Sequence, residues 1–337
     1  MVGTLGGLAA RSREISLAVT INGAPVTGIE RLELVQCGHF AADRFRVWLT
    51  TGATPGGAAT YASLQAGIVT IGIEIGALGV AGSPLLTGQI DNIVVDFSSG
   101  HVVLSGRDLS ARLIDSEVVQ SFSNQTASQI ATIFAGDAGL DVNITETSTP
   151  VGQYYELAHM RTGLGLHTRH VTRWDLLASF AAIEQFSLSV TGTILNFGPP
   201  TASAPMLMTV GQDFLSLMVD RALSLVEPKV TVSSWNPKLK QSFSGSTGTM
   251  GGVTLVRPNL TQAEVNQEVT AQQTALAAQA VLLRASIPGE LSLAPGSTIL
   301  LQGTNTSLDQ TYVVRTIERS VDMHQGFIQR LEALQVP

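Results

Sequence analysis

Alternation of apolar and polar residues with a period of two dominates the first hundred positions, and only β-strands with one buried face satisfy it. Leu17, Val19 and Ile21 alternate with Ser16, Ala18 and Thr20, and Asn22-Gly23 follows as a hairpin turn. Phe45, Val47 and Leu49 alternate with Arg44, Arg46 and Thr50, and Val69, Ile71, Ile73 and Ile75 with Thr70, Gly72 and Glu74. Two more strands are predicted over Gly88–Phe97 and His101–Ser105, joined at Ser98-Ser99-Gly100. Five or more short strands joined by turns make a barrel or sandwich. The small, Gly-rich stretch Thr51–Thr60 reads as an exposed loop.

After Gly106 the period changes. Asp108 is placed to cap a short helix through Ile114, and Thr126-Ala127-Ser128-Gln129 is a capping box with Ile130, Ile133 and Phe134 behind it. Near Thr172 a second helix begins, where Trp174, Leu177, Ala178 and Ala181 share one face. Strand alternation returns at Phe186, Leu188 and Val190 and continues through Phe197, closed by Gly198-Pro199-Pro200. Residues 117–200 therefore read as a small α/β unit between two β regions.

From Phe214 strands resume, with Leu215, Leu217 and Val219 alternating and Val230 and Val232 leading to Trp235. The Gly/Ser/Thr-rich stretch Ser242–Gly252 reads as a mobile loop. Thr261-Gln262-Ala263-Glu264 is a second capping box, opening a helix expected to reach about Ala285, with Val265, Val269, Leu276, Ala280 and Leu283 on one face. Pro288-Gly289 would end it, ahead of strands at Glu290–Leu293, Thr298–Gln302, Gln310–Ser320 and Gly326–Leu334. The order of strand, loop, long strand, short turn and strand over 69–105 recurs over 298–334, which points to a duplicated β-barrel around the α/β unit.

Composition narrows the function. Charged residues are 13% of the 337 positions, about half the usual ~25%, which suits a chain that hides surface against partners. The formal net charge of −7 offers no basic face for sequence-independent nucleic-acid binding. One cysteine, Cys37, excludes an internal disulfide framework and a cysteine zinc site, and reads as a small buried residue near a strand end. Met1–Arg13 lacks the pattern of a secretory signal and no apolar run reaches the ~18 residues of a membrane span, so a soluble protein made in the cytoplasm is expected.

Motifs that carry chemistry are sparse. His159, His167 and His170 cluster within twelve residues, yet the spacing lacks a helical pair followed by a carboxylate, so a polar loop at a domain edge is favoured over a metal site, which the sequence leaves open. Asp91 with Asp96, or Asp137 with Asp141, could be imagined as glycosidase carboxylates, but 26 acidic residues produce such pairs by chance. Gly106-Arg107-Asp108 has the wrong order for an adhesion tripeptide and reads as a strand end followed by a cap. No nucleophile elbow, Walker loop or dinucleotide glycine motif occurs, and Trp48, Trp174 and Trp235 are too scattered for a stacking platform. The reading assigns no catalytic, cofactor-binding or metal residue and no cofactor. A cell-wall hydrolase and a receptor- or carbohydrate-binding tip are the rivals: the first requires a cleft with paired carboxylates or a His-metal site, the second a cluster of exposed aromatic residues.

Several stretches, in order over most of the chain, carry a resemblance. They are Ile21-Asn22-Gly23 leading to Ile29, Ala42-Asp43-Arg44-Phe45, Leu86-Thr87-Gly88-Gln89-Ile90-Asp91, Val103 to Asp108 and Leu113-Ile114-Asp115. Thr126 to Ile133, Trp174 to Leu177, Val232 to Trp235, Pro288-Gly289, Pro295-Gly296, Tyr312-Val313-Val314 and Gly326-Phe327 follow. Together they resemble the late control protein D family, the baseplate hub proteins of contractile-tailed phages, and the hub half of type VI secretion spike proteins. The resemblance implies a mainly β chain: two tail-tube-like β-barrels with a small α/β domain between them and one long helix near the second barrel. The expected divisions are 1–116, 117–200 and 201–337, with a helical insertion at about 260–286. It implies a structural virion component and no enzyme: a homotrimer that adapts a sixfold tail tube to a threefold spike, assembled in the host cytoplasm. Implied partners are further copies of the chain, a tail tube or distal tail protein, a central spike protein carried on a separate polypeptide, baseplate wedge proteins and a tape measure protein. DNA would only pass through the channel, past an acidic lining, and no stable membrane insertion is implied.

Overall fold

The computed structural model describes residues 3–4, 15–38, 40–53, 57–65, 67–75, 84–118, 122, 124–148, 150, 171–201, 204–223, 227–236, 239–257 and 260–336. Strands β1 (Gly3–Thr4), β2 (Ile15–Ile21), β3 (Ala24–Pro25), β4 (Ile29–Cys37) and β5 (Arg44–Thr50) precede the short helix α1 (Ala58–Ala62). Strands β6 (Ile68–Ile75), β7 (Leu86–Asp96) and β8 (His101–Asp108) follow. The middle holds α2 (Ala111–Ile114), α3 (Ala127–Asp137), β9 (Asp141–Ile144), α4 (Arg173–Glu184), β10 (Ser187–Thr191) and β11 (Ile194–Gly198). Next come β12 (Met206–Thr209), β13 (Ser216–Arg221), β14 (Pro228–Asn236), β15 (Gln241–Thr247), β16 (Met250–Val256) and α5 (Gln262–Ala278). Strands β17 (Val281–Pro288), β18 (Thr298–Gln302), β19 (Thr311–Asp322) and β20 (Gly326–Gln335) end the chain.

The protein is mainly β, and fourteen of its strands share one sheet. Within it the order β2-β6-β7-β8-β5-β4 is repeated as β12-β18-β19-β20-β17-β13. The halves differ at one step, since β2 lies antiparallel to β6 whereas β12 runs parallel to β18. Each half has its own core. In the first, Val19, Leu32, Val47, Val69, Leu86 and Val102 meet, one from each of six strands. In the second, Met208, Leu283, Ile299, Tyr312 and Leu331 meet, one from each of five strands, with Leu217 and Val219 of β13 packed against them. Both half-sheets thus wrap around their own apolar contents, although among the described residues no ring of strand pairing closes. They join where β19 pairs antiparallel with β4, from Thr316↔Cys37 to Asp322↔Arg31.

Between the halves, α3 and α4 pack on the sheet β10-β11-β9 around Phe134, Leu177, Leu195 and Phe197. The capping box at Thr126 forms as read, the backbone N–H of Gln129 donating to Thr126 Oγ1 and the N–H of Thr126 to Gln129 Oε1. Thr172 caps α4 by accepting from the N–H of Asp175 at 3.0 Å. Asn22 and Gly23, both at positive φ, make the turn between β2 and β3.

Several expectations are corrected. The long helix starts at its capping box but stops at Ala278, because Val281, Leu283, Ala285 and Ile287 alternate into the second core as β17. Strand β17 is hydrogen-bonded on both sides, to β13 and β20, and that two-sided pairing overrides the helix-forming composition around Ala280. The Ser242–Gly252 stretch is ordered, as parts of β15 and β16 flanking β14 in a separate sheet. Helix α5 covers this sheet through Val265 and Val269, which close a small fourth core with Val230, Val232 and Leu260. Glu290–Leu293 is not a strand. The loop read over Thr51–Thr60 holds a 3-10 turn and enters α1, whose Tyr61 is buried in the first core. Ser110 rather than Asp108 occupies the N-cap position of α2; Asp108 ends β8 and accepts from the backbone N–H and hydroxyl of Ser110.

Candidate assembly interface

A continuous antiparallel run, β13-β17-β20-β19-β4-β5-β8-β7, crosses both halves. One of its faces covers the two cores. The other carries the polar partners of the alternation, aligned by strand register into rungs. Arg330, Glu318, Val35, Arg44, Arg107 and Gln89 form one rung, and Ile328, Ser320, Glu33, Arg46, Ser105 and Asn92 the next.

Ion pairs cross the strands on this face. Arg284 lies 3.0 Å from Glu332 and 3.9 Å from Asp220, and Arg330 lies 3.1 Å from Glu318. Arg31 is bonded to Glu33, and its guanidinium lies 4.9 Å from the Trp48 ring centre. Arg107 bridges Asp91 at 2.7 Å and Asp115 at 2.8 Å. Hydrogen bonds from Arg107 hold the Asp91 carboxyl below its ordinary pKa, and those carboxylates raise that of Arg107 in turn.

The two ends of the run are open. Strand β7 pairs β6 only through Leu86–Gln89, a bulge falls between Ile90 and Asn92, and among the described residues no strand pairs the second half, Asn92–Asp96, on that side. Among the described residues strand β13 pairs β17 alone. Apolar side chains are exposed at both edges: Val94 (53%) and Phe97 (72%) at one, Leu215 (60%) and Met218 (63%) at the other. Edges of this kind invite strand addition.

Where the halves meet, the seam is polar. Arg319, 1% exposed, lies opposite Leu34 on one side and Gln329 on the other, and its Nη2 donates to the Leu293 carbonyl. Asp43 accepts from the Cys37 backbone N–H at 2.8 Å and from the Gln36 amide at 3.3 Å. Burial pushes the Asp43 carboxyl up to about 6 despite these donors. Burial likewise raises Asp108 to about 7, with the nearby Asp43 charge adding to the shift, and lowers Arg319 to about 10. Arg319 Nε and Nη1, Gln329 Nε2 and Gln36 Oε1 are buried without a partner. The sequence does hint at Arg319: it continues the inward phase set by Ile317.

The residues singled out as possible chemistry do not converge. Asp91 is tied to Arg107, and Asp96 accepts from the hydroxyls and backbone N–H groups of Ser98 and Ser99, which hold its carboxyl far below the ordinary range. Asp137 pairs with Arg173 at 3.0 Å, and Asp141 accepts from the Thr193 hydroxyl at 3.0 Å. His159, His167 and His170 lie outside the described residues, and no group of three metal-ligating side chains occurs among the described ones. Cys37 is half-buried at the end of β4, and burial raises its thiol. Trp174 is buried, with Nε1 donating to the Phe40 carbonyl at 2.7 Å, whereas Trp235 is half-exposed on β14. No helix among the described residues is long and apolar enough to cross a membrane.

No family model and no curated protein sequence matches the chain. Solved structures do. The 43 kDa tail protein of prophage MuSo2 from Shewanella oneidensis superposes with a TM-score of 0.72 at 16% identity, covering 96% of this chain and 97% of that one. A tail protein from Neisseria meningitidis MC58 gives 0.69 at 15% identity, covering 95% and 96%. The Escherichia coli c3393 protein, a component of the type VI secretion system, gives 0.56 at 11% identity, covering 95% of this chain and 77% of its own. The resemblance read from the sequence thus holds in three dimensions, and the chain has the fold of phage tail proteins and of their type VI secretion relatives.

Proposed function

We propose that this chain is a structural tail hub, in which three copies close into a ring that adapts a sixfold tail tube to a threefold spike. The observation that carries this reading is the equivalence of the two halves at their edges. In the repeated strand order β19 corresponds to β7 and β13 to β4. Strand β19 pairs β18 through its first half, is interrupted by a bulge between Val314 and Thr316, and pairs β4 through its second half. Strand β7 repeats this as far as its bulge, and its second half stands open. Strand β13, the counterpart of β4, likewise has one side without a strand partner among the described residues. Joining β13 of one copy to β7 of the next repeats between chains the contact that β4 and β19 make within one, a heterologous contact that closes into a ring.

On this reading residues 1–116 and 201–337 act as two tube-like barrels, completed in the assembly, and 117–200 as an inserted domain on the outside. The charged face lines the channel. Along this face most arginines stand against carboxylates, while Arg44 and Arg46 have no ion-pair partner among the described residues, so the proposed lining is of mixed charge where an acidic one was expected. Its partners are a tail tube or distal tail protein, a central spike, baseplate wedge proteins and a tape measure protein, within a virion assembled in the host cytoplasm, and its role is structural and not catalytic. The tail proteins from Shewanella and Neisseria, matched nearly end to end, support the assignment. Mass measurement in solution tests it: a species three times the 35.4 kDa chain is expected, and Val94→Pro, in the open half of β7, should return it to monomer. A stable monomer or dimer of the unaltered chain would count decisively against the ring.

A further inference from the structure

Across β4, β5 and β8 the charged face dips into an open groove of about 390 Å³, lined by Glu33, Arg44, Arg46, Asp91, Ser105 and Arg107. Both carboxylates in it are engaged, Glu33 by Arg31 and Asp91 by Arg107. Glu318, on the neighbouring strand, is engaged by Arg330. Arg44 and Arg46 are different. Both are exposed, both project from β5 into the groove, and neither forms an ion pair among the described residues. Arg46 is held instead with its guanidinium 5.6 Å from the Trp48 ring centre.

We propose that this groove binds the phosphodiester backbone of nucleic acid, with Arg44 and Arg46 as its anion ligands. Alternation along β5 puts the two guanidinium groups on one face about 6.6 Å apart at the backbone. Each offers a planar fork of donors that matches a phosphate bidentately. The fixed pair Arg107–Asp91 adds a rigid polar wall, and the Ser105 hydroxyl can donate from the floor. Glu33 is matched by Arg31, and Arg107 is shared between Asp91 and Asp115, so with Arg44 and Arg46 the groove presents a local charge near +1 within a chain of net charge −7. The negative charge of the rest of the molecule repels phosphate, so only an anion seated directly on the two guanidinium groups is held, and binding is weak and strongly salt-dependent. The inference rests on the channel reading for its setting, where three copies would present such grooves to DNA in transit; the chemistry stands on the groove itself.

The test is fluorescence anisotropy of a short labelled duplex against the full chain, titrated from about 50 to about 200 mM salt. Arg44→Gln with Arg46→Gln should weaken binding at least tenfold at low salt and flatten the log–log salt slope by about 2, near 0.9 for each phosphate no longer neutralised. Lys229→Gln, an exposed cation on β14 in the separate three-stranded sheet, should change neither. Absence of binding by the unaltered chain at low salt overturns the proposal, as does an unchanged slope in the double variant. Displacement of the duplex by polyglutamate at equal charge concentration would also overturn it, in favour of an acidic protein segment. The oligomeric mass is measured on the same samples. A trimer that fails to bind sinks this proposal alone, whereas a monomer that binds sinks only the ring.

Discussion

Asp108 couples folding to pH. Its carboxyl is 5% exposed at the end of β8, close enough to Asp43 to feel its charge, and burial raises it to about 7 from an ordinary value of 3.8. Because the folded state holds the proton more tightly than the unfolded chain, this contribution is fully present below pH 3.8 and is lost as pH rises through about 7. At 1.36 kcal/mol per pH unit, a shift of about three units amounts to on the order of 4 kcal/mol between pH 4 and pH 8. Asp43, raised to about 6, adds a smaller loss at lower pH. Asp108→Asn keeps an oxygen to accept from the Ser110 backbone N–H and hydroxyl while removing the charge. Urea unfolding at pH 5 and pH 8 is the assay. The unaltered protein should be markedly less stable at pH 8, and the variant should recover most of that difference while keeping the step due to Asp43. An unaltered protein equally stable at both pH values, or a variant with a steeper dependence, would refute the burial argument.

Other outcomes follow from single contacts. Trp174→Phe keeps an aromatic ring but loses the bond to the Phe40 carbonyl, and should cost about 0.5–1.5 kcal/mol in denaturant unfolding through loss of that hydrogen bond. Phe134→Ala, at the centre of the α3/α4 core, should cost about 3–5 kcal/mol and raise hydrogen exchange in that unit ahead of the main sheet. Thr261→Ala removes the reciprocal bonds with Glu264 and should lower stability by about 1 kcal/mol, measurable as earlier thermal loss of helix signal. Gly106→Ala would place a Cβ 1.9 Å from the Gln89 carbonyl oxygen and 2.8 Å from the Phe45 ring, so no soluble folded protein should be recovered on expression.

Local rules made much of this fold legible. Inward phase along β5, β6 and β8 follows from alternation because a half-buried strand must hide every second side chain. Two capping boxes fixed where α3 and α5 begin, since the bonds they make lie within four residues of chain. The similar spacing over 69–105 and 298–334 foretold that β6-β7-β8 and β18-β19-β20 pair in one order.

Contacts between distant segments decided the rest. Helix α5 ends at Ala278 because β13 and β20 claim the residues beyond it, and neither neighbour is visible in the local composition. Strands β15 and β16 form from Gly, Ser and Thr because β14 supplies hydrogen bonds to both. The candidate interface belongs largely to this second class: alternation alone puts Arg44 and Arg46 on one face, but only strand register sets Arg107 beside them. Periodicity tells which side of a strand is buried, but only pairing over long sequence distances tells which strand lies beside it, and a surface is made of neighbours.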